Sequence, residues 1–179
     1  MGGTKQLALW PTANGPKPLI CAAYDSIRPI CDDMVIVWGH ESAAVRAVLG
    51  DRPFHSAESS AAMPMFESIR AGLRAASNLD PQCTVVLQPA DHPEVQFITL
   101  ETLIASSLQR PEQAIIPQHA GRGGHPVLIP ANVVTMLIAT SCPEGLGRFW
   151  HDHPDLCCRV PVDDATILRD IDTPADVPK

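Results

Sequence analysis

Short apolar runs alternate with stretches of helical spacing along most of this chain. Strand-type runs occupy residues 34–38, 84–87, 114–117, 127–129, 159–162 and 166–170, with a further edge strand expected at 52–56. Amphipathic spacing predicts helices over residues 18–28, 41–49, 65–78, 96–109, 132–139 and 145–151, whereas residues 1–15 are expected to be a loop. This alternation predicts an α/β fold, a three-layer sandwich with a mostly parallel, Rossmann-like sheet. We expect one domain over residues 1–179.

The run at residues 84–87 is almost wholly apolar, rich in β-branched side chains, and ends in Pro-Ala-Asp-His-Pro. Such a run is typical of a buried parallel strand with helices on both faces. Ligands in open α/β sheets bind just beyond the carboxyl ends of the strands. Asp91 is therefore a candidate ligand-facing residue, although from this stretch alone a loop carboxylate that caps the next helix is the simpler alternative.

The composition is that of a water-soluble globular protein, with 45% apolar and 18% charged residues among 179. The formal charge of −7, without a run of Lys or Arg, argues against a nucleic-acid surface. No apolar run approaches the roughly 20 residues needed to span a bilayer, and the N-terminus shows no signal pattern. The six cysteines form no C-x-x-C pair, which favours reduced thiols in a cytoplasmic protein.

Three further stretches are candidates for ligand binding. Residues 1–7 form a glycine turn with Lys5 beside it, which suits phosphate oxygens, although a disordered terminus is the alternative. Gly72 costs its predicted helix about 1 kcal/mol relative to alanine. The close approach of a ligand or of a neighbouring backbone would explain it. Residues 121–126 form a glycine-rich turn with His125, for which hairpin turn chemistry is an almost equally good explanation.

The last candidate is the sequence Asp170-Ile171-Asp172-Thr173-Pro174. Residues two apart on a strand face the same side, so Asp170 and Asp172 are expected to lie together. Near Asp91 these like charges would repel one another unless a cation lay between them, and Mg²⁺ suits carboxylate and phosphate oxygens. The alternative is a capping carboxylate beside a solvated strand end. Thr173 as N-cap, with proline after it, predicts the start of a helix.

Five stretches occur in the order and spacing of one family: residues 1–7, 65–73, 89–93, 121–128 and 170–176. Together they resemble the molybdenum cofactor nucleotidyltransferases, the MobA/MocA-like group of GT-A-type transferases. This resemblance covers nearly the whole chain. It implies transfer of a nucleotidyl group from an NTP (CTP or GTP) to a phosphorylated small molecule such as molybdopterin, with Mg²⁺ as cofactor and release of pyrophosphate.

The resemblance also implies roles for individual residues. The catalytic residues are Lys5, which binds triphosphate, and the metal ligands Asp91 and Asp172, with Asp170 as a further metal candidate. The implied nucleotide-binding set is Gly2, Gly3, Lys5, Ser68, Arg70 and Gly72, and the implied acceptor-binding set is Gly124, His125 and Pro126. A molybdoenzyme or cofactor-delivery protein is the implied protein partner, and no nucleic-acid or membrane partner is expected.

Residues 68–72 resemble the cytidylyltransferase branch, whereas the guanylyltransferase branch tends to have Gly-Pro-Leu-Ala-Gly there, so CTP is favoured. The family has an apolar strand and Leu-Ala-Ala-Gly-x-Ser-x-Arg before its Met-Gly, so we expect this chain to be truncated at the N-terminus. Pro64 stands where the family usually has glycine, and His92 replaces the usual Gln or Met. A sugar or alcohol phosphate nucleotidyltransferase and a non-catalytic relative that binds nucleotide or cofactor are the alternatives.

Overall fold

A computed structural model describes residues 5–39, 43–60, 62–173 and 176–177 of the chain. Its strands are Leu9–Trp10 (β1), Lys17–Pro18 (β2), Val35–Trp38 (β3), His55–Glu58 (β4), Val85–Leu87 (β5), Ala114–His119 (β6), Arg122–Gly123 (β7), Val127–Ile129 (β8) and Cys157–Pro161 (β9). Its α-helices are Leu19–Ile27 (α1), Ala43–Val48 (α2), Met65–Leu79 (α3), Phe97–Gln109 (α4), Ala131–Ala139 (α5) and Leu146–Asp152 (α6). Short 3-10 helices lie at Lys5–Leu7, Arg28–Ile30, Pro154–Leu156 and Ala165–Leu168.

The main sheet has the order β5-β8-β6-β9, and β7 pairs with the end of β6. Parallel pairing is found between β6 and β9 and in the separate pair β3–β4, whereas β8 runs antiparallel to both of its neighbours. The short connection from β6 through β7 to β8 accounts for this, because only antiparallel strands can be joined by a hairpin. β5, expected to pair in parallel, pairs antiparallel with β8 and is only half-buried.

Helices cover both faces of the sheet layer, which confirms the α/β class. On one face the core cluster joins Phe66 and Leu73 of α3 to Ile116 of β6, with further members from α5 and α6. On the other face, α1 and α4 pack against the alternate strand residues. Ile36 of β3 and Val86 of β5 pack on the same cluster, so the two sheets belong to one layer. None of the described helices has the length and apolar composition needed to cross a bilayer.

Two predicted elements differ from the structure. The expected loop at residues 1–15 contains, within its described part, the 3-10 helix at Lys5–Leu7 and strand β1, which forms an antiparallel hairpin with β2. The strand predicted at residues 166–170 is wrong, because residues 165–168 form a 3-10 helix. Asp164 caps this turn by accepting a hydrogen bond from the Thr166 amide. The helix predicted to begin after Thr173 falls on residues 174 and 175, which lie outside the described residues.

Asp164 is a buried carboxylate that ties α4 to the segment before Asp170. It is 1% exposed, and Oδ2 accepts hydrogen bonds from the Gln96 amide and the Thr99 hydroxyl, at 2.9 and 2.8 Å. Oδ1 accepts from the amide and the hydroxyl of Thr166. Burial alone would raise the pKa of Asp164, but these hydrogen bonds outweigh it and hold the pKa below its ordinary value. The carboxylate therefore stays ionised and fixes the backbone that leads into residues 170–172.

We expect Asp164→Ala to destabilise the fold by about 3 kcal/mol, because four donors lose their buried acceptor. The contribution of Asp164 is fully present above its unfolded-state pKa of about 3.9 and is lost as the pH falls through the lower folded-state pKa. Urea unfolding at pH 7 and in acid should therefore show a gap between wild type and variant that narrows in acid. Asp163→Ala removes the neighbouring exposed carboxylate and serves as the control. An equal loss in both variants would contradict this account.

Candidate active site

Lys5, Asp91 and Asp172 come together at one point of the structure. The Nζ atom of Lys5 lies 2.9 Å from Oδ2 of Asp91 and 2.6 Å from Oδ1 of Asp172. Lys5 is separated from Asp91 by 86 positions in the sequence and from Asp172 by 167. The two carboxylates therefore face a single cation, as expected if they share one site.

An apolar neighbour anchors each charged residue of this trio. Leu7 lies two residues after Lys5, and Ala90 immediately precedes Asp91. Both pack on one apolar cluster formed by residues of α1, α2 and β3. Ile171, next to Asp172, is fully buried against Trp10 and α1. The amide of Ile171 also donates to the carbonyl of Asp91 at 3.1 Å, which joins the two acidic segments through their backbones. Burial of these apolar residues thus fixes the charged side chains beside them.

The two carboxylates stabilise the protonated form of Lys5. Partial burial lowers the pKa of Lys5, but the hydrogen bonds to Asp172 and Asp91 outweigh it and raise the pKa above its ordinary value. Lys5 is therefore a full cation at neutral pH. An ammonium held between two carboxylates marks a place where negative charge has been concentrated for a cation.

The oxygen donors of Asp91 and Asp172 suit a hard divalent ion such as Mg²⁺, which is commonly bound by one or two carboxylates plus phosphate oxygens. Asp170 does not contact Lys5 in the way the other two do, because residues 169–172 are not a strand and the expected shared face does not form. Within the described ranges, no three or more His, Cys, Asp or Glu side chains are grouped so as to hold a metal. The acid pair, and not a triad, is the candidate cation site.

His92, the residue after Asp91, is buried, and its imidazole packs against that of the half-buried His125. Their ring centroids lie 5.1 Å apart in an edge-to-face arrangement, and Nδ1 of His125 lies 3.4 Å from the carbonyl oxygen of Leu87. Burial lowers the pKa of His92, and chiefly burial lowers that of His125 to about 4. Both rings are therefore neutral at pH 7. His125 can form a hydrogen bond with a substrate but carries no positive charge.

Gly124 and Pro126, predicted to bind the acceptor, are buried in the turn that presents His125. The amide of Gly124 donates to the carbonyl of Pro117, and that of His125 donates to the carbonyl of Ile167, both at 2.9 Å. The α-carbon of Gly124 lies so close to the Ile167 backbone that a side chain has no room there. Gly124 and His125 thus hold the turn against the 3-10 helix at Ala165–Leu168.

Replacement of Gly124 by alanine is expected to destabilise the fold by about 1–3 kcal/mol, because its Cβ would overlap the carbonyl of Ile167, which cannot move freely. Gly147→Ala is the matched control, because a Cβ there meets no atom within 4 Å. In helix α6 that change should be neutral, or stabilising by about 0.5–1 kcal/mol. Urea unfolding of both variants measures the contrast, and equal stability in the two would refute the tight contact.

Ser68, predicted to bind nucleotide, lies at the carboxyl ends of β3 and β4. Its hydroxyl donates to the hydroxyl of Ser59 at 2.9 Å, and the amide of Ser59 donates to the carbonyl of Trp38, the last residue of β3. Gly72 packs against β3, since a Cβ there would lie 2.9 Å from Cγ2 of Val37. Close packing against a strand is therefore enough to account for glycine within α3.

Arg70 is engaged in a structural contact between two helices. Its Nε and Nη2 atoms both donate to the carbonyl oxygen of Ile138 near the end of α5, at 3.1 and 2.8 Å, and Nη1 donates to Glu67. An arginine here satisfies a carbonyl that the last turn of α5 leaves without a partner. The structure therefore gives Arg70 a structural contact and does not bring it to the Lys5 site. Gly2 and Gly3, predicted to bind nucleotide, lie outside the described residues.

One residue of the site was overlooked in the sequence. Asp176 accepts hydrogen bonds from the amides of Asp172 and Thr173, at 3.1 and 2.6 Å, and from the Thr173 hydroxyl. Thr-x-x-Asp is close to the Thr-x-x-Glu pattern of a capping box, in which the acidic residue reaches back to the N-cap amide. That signal was available in the sequence, and it identifies Asp176 as the residue that holds the backbone of Asp172.

An α/β layer that presents a lysine and an acid pair beside the end of β5 has the architecture of a nucleotidyltransferase-type domain. The chain belongs to the MobA-like NTP transferase domain family, whose profile matches residues 1–156. This confirms the family predicted from the sequence motifs. No curated protein matches the chain in sequence.

Several solved structures share the fold. Rv0371c from Mycobacterium tuberculosis H37Rv is 22% identical, with a TM-score of 0.80 over 98% of this chain and 88% of that one. A structure of Rv0371c in complex with manganese is also 22% identical, with a TM-score of 0.74 over 96% and 88% of the two chains. A nucleotidyl transferase from Methanothermobacter is 18% identical, with a TM-score of 0.70 over 96% of this chain and 81% of that one. At such identities the likeness establishes the fold alone.

Proposed function

We propose that this single nucleotidyltransferase-like domain moves a nucleotidyl group from an NTP to a phosphorylated small molecule, with CTP and molybdopterin favoured, and releases pyrophosphate. The observation that carries the proposal is the Lys5 ammonium held between Asp91 and Asp172, at 2.9 and 2.6 Å, in a chain of the MobA-like family. A concentration of opposite charges at the end of a sheet suits a triphosphate with its cation.

In this proposal Asp91 and Asp172 hold the divalent ion, for which Mg²⁺ is favoured. The manganese complex of Rv0371c, a protein of the same fold, is consistent with a divalent ion in such a site. When bound, the ion supplies positive charge that stabilises the phosphoryl oxygens during transfer. Asp176 and the buried Ile171 keep Asp172 in place, and the Ile171 amide keeps it beside Asp91.

Lys5 binds the triphosphate and stabilises the negative charge that develops on the departing pyrophosphate. The attacking group is a phosphate of the acceptor, which is already ionised at neutral pH, so no residue has to act as a general base. Catalysis then depends on positioning and on charge. The neutral His125 and the rigid turn around it form one wall of the acceptor side, and Ser68 lies on the nucleotide side.

CTP is favoured over GTP because residues 68–72 resemble the cytidylyltransferase branch. With Arg70 engaged by Ile138, Ser68 is the polar side chain of that stretch which we expect to face the nucleotide. A molybdoenzyme or cofactor-delivery protein would receive the product, and a cytoplasmic location fits both partners.

A pyrophosphate-release assay with ATP, CTP, GTP and UTP tests the proposal, each with Mg²⁺ and either molybdopterin or a panel of sugar and alcohol phosphates. The expected result is release with CTP and molybdopterin, dependent on the divalent ion. Release only with a sugar phosphate would replace the acceptor. Tight nucleotide binding by calorimetry, without release from any pair, would instead identify a non-catalytic relative and overturn the proposed activity.

A further inference from the structure

Arg159 of β9 lies across the neighbouring strand and against the glycine-rich turn. β9 pairs with β6 so that Arg159 stands opposite Ile116. A Cβ built on Gly123 would lie 2.6 Å from Nη1 of Arg159 and 3.2 Å from Cγ2 of Ile116. Gly123 has no unusual φ that would itself require glycine. The missing side chain at position 123 therefore leaves the space that this guanidinium fills.

This guanidinium lies near the edge of the sheet that carries the candidate active site. β9 runs parallel to β6, and β8 runs antiparallel to both β5 and β6, so β5, β6 and β9 all end at the same edge. Asp91 follows the end of β5, and Gly123 immediately precedes the turn that holds His125 against His92. Arg159 is thus connected to the proposed acceptor side through adjoining residues.

The positive charge of Arg159 is not used within the described part of the chain. No carboxylate there forms an ion pair with it, and its side chain makes no hydrogen bond to a described residue, whereas Arg52, Arg148 and Arg169 each have an acidic partner. Arg159 is also exposed. His125 is neutral at pH 7 and cannot balance a phosphate. Arg159 therefore supplies positive charge on this side of the sheet, which His125 does not.

We propose that Arg159 binds the phosphate group of the acceptor, with Gly123 providing the flat surface on which the guanidinium is held. The inference rests on the proposed function, because it assigns a residue to the acceptor of that reaction. A planar guanidinium can donate two parallel hydrogen bonds to phosphate oxygens, which a lysine ammonium cannot reproduce. The arrangement selects for acceptors that carry a phosphate and leaves the nucleotide side unaffected.

Three variants test this inference. Arg159→Gln removes the charge, and Gly123→Ala keeps the charge but pushes the guanidinium off its position. Arg110→Gln is the matched control, because Arg110 is also exposed but comes before the start of β6, whereas Gly123 pairs with the end of that strand. Thermal melts verify that all three fold. The measurements are the KM values for molybdopterin and CTP by pyrophosphate release, and calorimetric binding of molybdopterin.

Arg159→Gln is expected to raise the KM and the dissociation constant for molybdopterin about tenfold to hundredfold, as for loss of hydrogen bonds to a charged group. The KM for CTP should stay unchanged. Gly123→Ala should give a smaller increase, and Arg110→Gln none. Equal molybdopterin binding by wild type, Arg159→Gln and Arg110→Gln would overturn this inference and leave the proposed function standing. Failure of the wild type to bind molybdopterin would overturn the proposed acceptor, and the inference with it.

Discussion

Asp91→Asn is expected to abolish divalent-ion-dependent turnover while the fold remains intact. Asparagine keeps the shape of the side chain but loses the charge that, with Asp172, attracts a cation to the Lys5 position. Changing a residue that only hydrogen-bonds to a metal ligand lowers metal affinity or activity about 10- to 100-fold. Loss of a proposed ligand should lower turnover by at least that much. The measurements are pyrophosphate release across a range of Mg²⁺ concentrations, and a thermal melt.

Asp51→Asn, at an exposed position outside the site, is the control for the loss of one carboxylate. The metal role of Asp91 would be disproved by turnover in Asp91→Asn that matches wild type at every Mg²⁺ concentration. Lower turnover that excess Mg²⁺ restores would support a role for Asp91 in binding the ion, because weaker affinity can be overcome by concentration.

Lys5→Met is expected to produce two opposite effects. Without nucleotide, Lys5 occupies the place between the carboxylates, so a divalent ion has to displace it and is repelled by its charge. Its removal should therefore tighten metal binding by about tenfold, the equivalent of breaking one or two partly exposed ion pairs. With nucleotide, the same variant loses the cation proposed to bind triphosphate, and turnover should fall by about 100- to 1,000-fold.

Electron paramagnetic resonance of Mn²⁺ measures the first effect on the protein without nucleotide, and pyrophosphate release measures the second. Lys17→Met is the matched control, because Lys17 also pairs with an aspartate, Asp25, at 2.7 Å, but away from the acid pair. It should leave Mn²⁺ affinity unchanged. Weaker Mn²⁺ binding in Lys5→Met than in wild type would show that Lys5 does not compete with the ion for the two carboxylates.

The elements with strong periodicity could be predicted from the sequence almost to the residue. Helix α3 was expected at residues 65–78 and is found at Met65–Leu79, and α4 was expected at 96–109 and is found at Phe97–Gln109. The segment at 166–170 was not predictable in this way. Its apolar residues predict a strand. In the structure Asp164, which accepts a hydrogen bond from Thr99, 65 positions earlier in the sequence, stabilises a 3-10 helix instead. A tertiary contact of that kind leaves no trace in a local pattern.

The candidate site shows the same division. The meeting of Asp91 with Lys5 and Asp172 was predictable, because each acidic residue follows a buried apolar residue or strand and the motif order suggested a shared cation. The direction of Arg70 was not predictable. A helix position fixes which face a side chain leaves from, but the carbonyl of Ile138, 68 positions away, decides where a long side chain ends. Arg159 had no motif around it and emerged only from its contact with Gly123.

The burial of Ile171 against Trp10 gives the protein a built-in optical reporter. Indole emission changes with the polarity of its surroundings, and Trp10 shares its cluster with the residue that precedes Asp172. Trp38 ends β3, and Trp150 projects from α6 into the core. Changing Trp38 and Trp150 to phenylalanine would leave Trp10 as the sole tryptophan. Its emission spectrum would then report, in real time and without an attached dye, whether Ile171 and the adjoining Asp172 stay packed against Trp10 when ligands bind.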